Sequence, residues 1–171
     1  MFWMQKRFWL NIIFIVANAI CFAQNGYYDN LSEALANKDS VVSLCIKKQK
    51  LTTFPMEILE LRNLERLDIS RNYISEIPQQ INTLSKLHYL NAAQNYIKEL
   101  PKEIAVLPLD TIILWDNMIR SFDSSFASLP LRYIDLRAIQ MTRKEQKAIK
   151  NLFPKARIRK DHPCNCGSRK E

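Results

Sequence analysis

Glycine is scarce in this 171-residue chain: Gly26 and Gly167 are the only two, and both lie near an end. A glycine-rich loop that cradles phosphate is therefore excluded from the body of the chain. Histidine is equally rare, and neither His88 nor His162 has a serine, cysteine or aspartate at the spacing of a catalytic motif. The hydrophobic content of 47% and the charged content of 25% are ordinary for a globular protein with a sizeable core.

Cysteine is also sparse, since the chain has four in all: Cys21, Cys45, Cys164 and Cys166. Cys21 lies in the N-terminal segment that is predicted below to be removed, and the remaining three are too few, and wrongly arranged, for a disulfide framework. The segment HPCNCG, residues 162–167, offers three metal-binding side chains, whereas a structural zinc site needs four. No metal site or cofactor is predicted. The two tail thiols either stay free or, in an oxidising compartment, pair with each other or with another chain.

The N-terminus has the pattern of an export signal. Lys6 and Arg7 precede an uncharged run at residues 8–22, and Cys21-Phe22-Ala23 places small residues before a cut at Gln24. The run is shorter than the roughly 20 residues of a membrane-spanning helix. Residues 1–23 are therefore predicted to be a signal peptide. The expected localisation is periplasmic, cell-surface or secreted.

Two other interpretations of this segment stay open. Residues 8–23 could remain attached as a membrane anchor, or Cys21 could carry a lipid, although Ile20 is bulky where a lipobox has a small residue.

Charge is unevenly distributed along the chain. Residues 24–136 carry 12 basic and 14 acidic side chains, a net −2, whereas residues 137–171 carry 11 basic and 3 acidic, a net +8. The basic end is either a solvated helix face with a solubilising tail or a contact for an anionic surface such as lipid headgroups or acidic glycans. Export makes nucleic acid a poor candidate partner.

A phrase of the sequence recurs with a fixed period. RNYISEIP at residues 71–78 returns as QNYIKELP at residues 94–101, and related units begin at 41, 64, 87, 109 and 131. A period of 22 or 23 residues predicts a solenoid of about five repeats over residues 41–139, because one such unit cannot bury its own apolar face.

Each unit has the same internal pattern. Leu67-Asp68-Ile69 alternates between inward and outward positions, which is typical of a short strand, and stacked units would pair these strands in parallel. Prolines 55, 78 and 101 each open a Pro-x-x-Ile phrase, and proline suits the first position of a helical turn. Asn72, Asn95 and Asn117 recur at the inward turn, where a ladder of buried amides could satisfy backbone groups.

The segments flanking the repeats predict helical caps. Asn30 to Glu33 and Thr142 to Glu145 both resemble capping boxes, the first within an N-terminal cap of residues 24–40. In the C-terminal cap, residues 140–160, the predicted apolar stripe is Ala148, Ile149, Leu152 and Phe153, and a last edge strand is predicted around Ile158. Residues 161–171 form a basic, cysteine-containing tail.

The unit LERLDISRNYISEIPQQINTL, residues 64–84, resembles the leucine-rich repeat of the Ras-suppressor type that is found in many bacterial proteins, small exported members among them. The resemblance implies an α/β solenoid: a right-handed superhelix with a short parallel sheet on its concave face. It also implies a non-catalytic scaffold that binds a protein partner, of unknown identity, on that face. A monomer is expected.

Outward strand positions give the candidate binding residues. They are Arg66, Asp68, Tyr89, Asn91, Ile113, Trp115, Tyr133 and Asp135. Exposed aromatic side chains beside arginine are typical of binding hot spots. Alternatively, Trp115 or the tyrosines fold down over a neighbouring loop or cap.

Catalysis is not predicted. Asp68 and Asp135 would lie three strands apart, roughly 14 Å, which is too far for a pair of glycosidase carboxylates. The alternative function is an envelope-associated structural protein that attaches to anionic material through its basic C-terminal end.

Overall fold

The computed structural model describes residues 26–162, so the predicted signal peptide and most of the cysteine-containing tail lie outside the described residues. Seven parallel strands form one open sheet in which each strand pairs with its neighbours in sequence order. The strands β1 to β7 are Tyr27–Tyr28, Ser43–Cys45, Arg66–Asp68, Tyr89–Asn91, Thr111–Ile113, Tyr133–Asp135 and Arg157–Arg159. The predicted α/β solenoid with a parallel sheet is confirmed.

The side of the solenoid opposite the sheet consists of short 3-10 helices. From β1 to β6 the chain passes from each strand to the next through one of them: Lys38–Ser40, Met56–Glu60, Gln79–Thr83, Lys102–Val106 and Ser124–Ser128. Pro55, Pro78 and Pro101 lie just before the first helical residue with extended backbone, one position earlier than predicted. In the fourth repeat Asp123 replaces proline and accepts a hydrogen bond from the Ser125 amide at 2.8 Å. Proline restricts the backbone at this entry, whereas the aspartate caps the first turn.

The core lies between the sheet and these 3-10 helices. The middle residue of each strand from β2 to β6 is at most 1% exposed, and so are Ile58, Ile81, Ile104 and Phe126 on the facing helices. Burial of one such side chain contributes about 1.5–3 kcal/mol. Because the strands pair in strict register, equivalent residues of successive repeats stack on one another along the whole array.

The three asparagines at the inward turns connect adjacent repeats. The Asn95 side-chain amide donates to the carbonyls of Ile69 and Ala92, both at 3.1 Å, and its carbonyl accepts from the Ile74 amide at 3.0 Å. Asn72 and Asn117 make equivalent bonds, with the Leu51 and Ile97 amides as the respective donors to their side-chain oxygens, and all three asparagines are at most 9% exposed. Each asparagine thus satisfies backbone groups of its own repeat and of the one before it.

The residue that precedes each turn asparagine has a left-handed backbone. Arg71, Gln94 and Asp116 have φ values of 58°, 54° and 58°, and Lys48 and Ala138 occupy the equivalent positions in the flanking repeats with 60° and 54°. Glycine adopts this conformation without steric cost, but the repeats contain none.

Two α-helices cover the ends of the array. Helix α1, Leu31–Ala36, begins at Asn30, whose side chain accepts from the Glu33 amide. Helix α2, Arg143–Leu152, begins with a complete capping box between Thr142 and Glu145. None of the helices over residues 26–162 has the length and apolar character needed to cross a membrane.

The buried face of α2 differs from the predicted stripe. Ala148 is exposed, and Gln146 is buried in its place, with its side chain donating to the Asp161 carbonyl at 3.2 Å and accepting from the Lys160 ammonium. This polar side chain is buried because it connects the helix to the segment that follows β7. Hydrophobicity alone could not have predicted that placement.

Candidate partner-binding surface

The outer sheet face is the side of the sheet that points away from the core. In β2 to β6 it presents three rows of side chains, from the first and third strand residues and from the residue two positions further on. The rows are Ser43, Arg66, Tyr89, Thr111 and Tyr133; Cys45, Asp68, Asn91, Ile113 and Asp135; and Lys47, Ser70, Ala93, Trp115 and Arg137. The eight predicted binding residues all belong to these rows.

An arginine covers the first tyrosine of this face. The Arg66 guanidinium lies 4.0 Å from the centre of the Tyr89 ring, within the range of a cation–π interaction. Burial, together with the nearby Asp68 carboxylate, raises the pKa of the Tyr89 hydroxyl above its ordinary value. Tyr89, like any tyrosine with a pKa of about 10 or above, is neutral at physiological pH and can offer its hydroxyl as a hydrogen-bond donor.

Trp115 is held by a chain of contacts that ends in a buried carboxylate. The Arg137 guanidinium lies 5.8 Å from the centre of the Trp115 ring. Its Nη2 and Nε donate to the Asp135 carboxylate at 2.8 and 3.0 Å, and Asp135 is only 3% exposed. A partner would thus meet Arg137 rather than Asp135 at this position. Asp135 fixes the arginine, and the guanidinium lies within the outer range of a cation–π interaction with the indole ring.

The environment of Asp135 predicts an acid-sensitive contribution to stability. Burial raises the pKa of the Asp135 carboxyl, but the hydrogen bonds and charge of Arg137 outweigh burial and leave the pKa below its ordinary value. The ionised Asp135 carboxylate therefore contributes to the free energy of unfolding at pH values above about 3.9, the pKa of aspartate in the unfolded chain. This contribution is lost as the pH falls through the lower pKa of Asp135 in the folded protein.

We expect the wild-type protein to lose more unfolding free energy on acidification from about pH 5 to about pH 2 than Asp135→Asn loses. Urea denaturation at a series of pH values measures, for each protein, the slope of the unfolding free energy against pH. Equal slopes would contradict a stabilising ion pair at this position.

Asp68 and Asn91 also serve the turns that follow their strands. The Asp68 carboxylate accepts from the Ser70 amide at 2.9 Å and from the Asn91 side chain at 3.0 Å, and the side-chain Oδ1 of Asn91 accepts from the Ala93 amide at 3.1 Å. Both polar side chains are half-buried, and each of their side-chain oxygens already accepts a hydrogen bond. Their contribution to a binding surface would be secondary to their structural role.

The large side chains of the outer sheet face come together on three adjacent strands. Tyr89, Ile113, Trp115 and Tyr133, called here the aromatic cluster, are each half-buried. Tyr89 and Tyr133 flank Thr111 in the first row, so their strands are separated by roughly 10 Å. Part of each side chain thus remains accessible on one continuous surface.

Sequence reasoning missed a second aromatic feature, at the turn edge of the solenoid. Tyr73 and Tyr96 directly follow the ladder asparagines, and their rings stack with centres 5.9 Å apart. They are 47% and 53% exposed, and Met118, at the equivalent position of the next repeat, is 53% exposed. The recurring Asn-Tyr pair was a sufficient signal, because the side chain after an inward asparagine must point outward.

The basic end predicted from the sequence is exposed in the structure. Eight cationic side chains of α2 and the segment after it are accessible: Arg143, Lys144, Lys147, Lys150, Lys155, Arg157, Arg159 and Lys160. Within residues 26–162, histidine, cysteine and acidic side chains form no group of three that could hold a metal ion. The predicted HPCNCG segment has only His162 among the described residues.

Comparison with known proteins agrees with this geometry. A leucine-rich repeat family model matches residues 63–84. A leucine-rich repeat protein of Leptospira interrogans is 30% identical, with 74% of this chain and 32% of that one covered and a TM-score of 0.69. Internalin C2 of Listeria monocytogenes is 24% identical, with 78% and 57% covered and a TM-score of 0.58. InlF, an internalin of the same species, is 17% identical, with 78% and 40% covered and a TM-score of 0.58.

The stacked strands, the asparagine ladder and these matches define a solenoid of bacterial type, and the chain is a leucine-rich repeat protein. It spans less than two thirds of the length of each of the three structures. No curated protein matches the chain. Leucine-rich repeat proteins are generally non-catalytic binding scaffolds.

Proposed function

We propose that this protein is a non-catalytic scaffold that binds a protein partner on its outer sheet face, with the aromatic cluster as the centre of the contact. The observation that carries the proposal is that four large side chains remain partly accessible on a sheet whose core is complete without them. Aromatic side chains next to arginine, here Arg66 and Arg137, have the composition of interface hot spots. The same face of the sheet carries no carboxylate pair suited to catalysis, since Asp68 and Asp135 are three strands apart, roughly 14 Å.

Affinity capture from the native cell envelope tests this function. The immobilised full-length chain should retain a partner that Trp115→Ala fails to retain. Val106→Ala is a matched control, because Val106 is 74% exposed on a 3-10 helix on the opposite side of the core. Retention that is equal for all three proteins would contradict binding at the aromatic cluster.

The partner is proposed to be met outside the cytoplasm. The support is the sequence of residues 1–23, in which Lys6 and Arg7 precede the uncharged run and the small residues before Gln24.

We predict that the native protein begins at Gln24. Mass spectrometry of protein isolated from its own cells should find that N-terminus. Detection of Met1 would instead support a retained segment, and a lipid on Cys21 would support an anchor.

A second candidate function has its own observation. The eight exposed cations of the C-terminal end could attach the protein to anionic envelope material, with the repeats as a spacer. Salt dependence separates the two functions, because attachment through exposed charges weakens as ionic strength rises, whereas a contact centred on Trp115 persists.

A further inference from the structure

An open depression adjoins Trp115 on the outer sheet face. In the third row, Lys47 and Trp115 are three strands apart, roughly 14 Å. The two residues between them, Ser70 and Ala93, are small and only 6% and 1% exposed. The backbone bonds from Lys48 to the Ser70 carbonyl and from Gln94 to the Trp115 carbonyl fix this order of strands. The result is a depression of about 310 Å³ with small side chains between a cation and an aromatic ring.

The edge of this depression is cationic. Lys47, Lys48 and Arg71 all line it, all are exposed, and none forms an ion pair with another of the residues 26–162. The one carboxylate in the depression, that of Asp68, already accepts from the Ser70 amide and the Asn91 side chain. Three unpaired cations therefore face one carboxylate that is already hydrogen-bonded, which leaves a positive local charge for an incoming group.

The opposite side of the depression is aromatic. Trp115 forms it, and the Arg137 guanidinium lies 5.8 Å from the centre of the Trp115 ring. A ligand in this depression thus meets cations at one end and an aromatic surface at the other. A free inorganic anion would use only the cations, whereas a peptide with acidic and apolar side chains can use both ends over the distance between them.

We infer that the depression receives an acidic segment of the partner protein, in which aspartate or glutamate side chains pair with Lys47, Lys48 and Arg71 and an apolar residue at the other end of the segment contacts Trp115. This inference rests on the proposed function, because it assigns the chemistry of the partner that docks on the outer sheet face. It also gives the binding surface a direction, since the acidic side chains lie toward the N-terminal repeats.

A peptide titration tests the inference. Trp115 is the sole tryptophan of a protein that begins at Gln24, and Trp3→Phe with Trp9→Phe makes it so in a chain that retains residues 1–23, so its fluorescence reports on the depression. The probe is an acetylated, amidated Glu-Ala-Glu-Ala-Leu peptide, in which the leucine side chain lies roughly 14 Å from the first glutamate when the peptide is extended, with Lys-Ala-Lys-Ala-Leu as its control. The acidic peptide should give a saturable fluorescence change, and the basic peptide should give none.

Two matched variants separate this site from general charge attraction. Lys47→Ser with Lys48→Ser should lower the affinity for the acidic peptide by about threefold or more, as expected for the loss of two exposed ion pairs. Lys144→Ser with Lys147→Ser removes the same charge from the exposed face of α2 and should leave the affinity unchanged. Ala93→Leu keeps every charge but fills the depression, and it should also weaken binding.

Equal weakening by both lysine pairs, an Ala93→Leu protein that binds normally, or the absence of saturation would each overturn the inference. Phosphatidylglycerol vesicles could also bind more tightly than the acidic peptide, through Lys47 and Lys48. That result would overturn the inference and identify a lipid surface as the ligand of the depression. The proposed function fails separately: a native partner that requires Trp115 but is insensitive to the Lys47 and Lys48 change refutes only the acidic segment. A partner that is insensitive to Trp115 refutes the docking face itself.

Discussion

Asn95→Ala should lower the free energy of unfolding by about 1–3 kcal/mol, because it leaves buried backbone groups without hydrogen-bond partners. The wild-type side chain is 4% exposed, accepts from the Ile74 amide and donates to the carbonyls of Ile69 and Ala92. Alanine is too small to reach any of these groups. Urea denaturation followed by circular dichroism measures the change as a lower midpoint.

A matched asparagine provides the control for this experiment. Asn151 is exposed near the end of α2, so Asn151→Ala should alter stability by no more than about 0.5 kcal/mol. An Asn95→Ala midpoint that coincides with that of the wild-type protein would show that the ladder bonds contribute no net stability.

Trp115→Ala should weaken binding of the native partner by about 2 kcal/mol or more, the loss expected for an aromatic anchor at the centre of an interface. The same substitution should change the free energy of unfolding by about 1 kcal/mol or less, because the side chain lies on the outer sheet face and is only partly buried. Calorimetric titration and urea denaturation of the same protein measure the two quantities. A core tryptophan would give the reverse pattern.

Two further substitutions locate the contact. Arg66→Ala removes the cation over Tyr89, nearer the N-terminal end of the sheet face, and should weaken binding less than Trp115→Ala. Val106→Ala on the opposite side should leave binding unchanged. An unfolded Trp115→Ala protein, or a larger effect at Val106 than at Trp115, would exclude the outer sheet face as the docking surface.

The fold could be predicted because its determinants repeat. Each strand contributes only three residues, which is a weak signal alone, but Leu44, Leu67, Leu90, Ile112 and Ile134 recur at fixed spacing and all prove to be buried. The inward asparagines were recognisable for the same reason. Periodicity turns several weak local patterns into one strong prediction of a stacked array.

Features that depend on a single pair of side chains could not be predicted. Asp135 occupies an outward strand position, and only the geometry of Arg137 shows that the carboxylate is buried. Gln146 is buried through contacts with residues 160 and 161, and no helical periodicity anticipates a polar residue there. The small size of Ser70 and Ala93 was visible in the sequence, but the depression they create depends on the side chains around them.

The left-handed turn residues affect what the surface can evolve to bind. A non-glycine residue in this conformation costs roughly 1–2 kcal/mol relative to the right-handed form. In exchange, Lys48, Arg71, Gln94 and Asp116 each place a functional group on the border between the sheet face and the turns. Glycine would relieve the strain but leave that border bare. The repeats are thus less stable than they would be with glycine at these positions, but they present a wider range of functional groups. A substitution at any one of these turns would change both properties without altering a core residue.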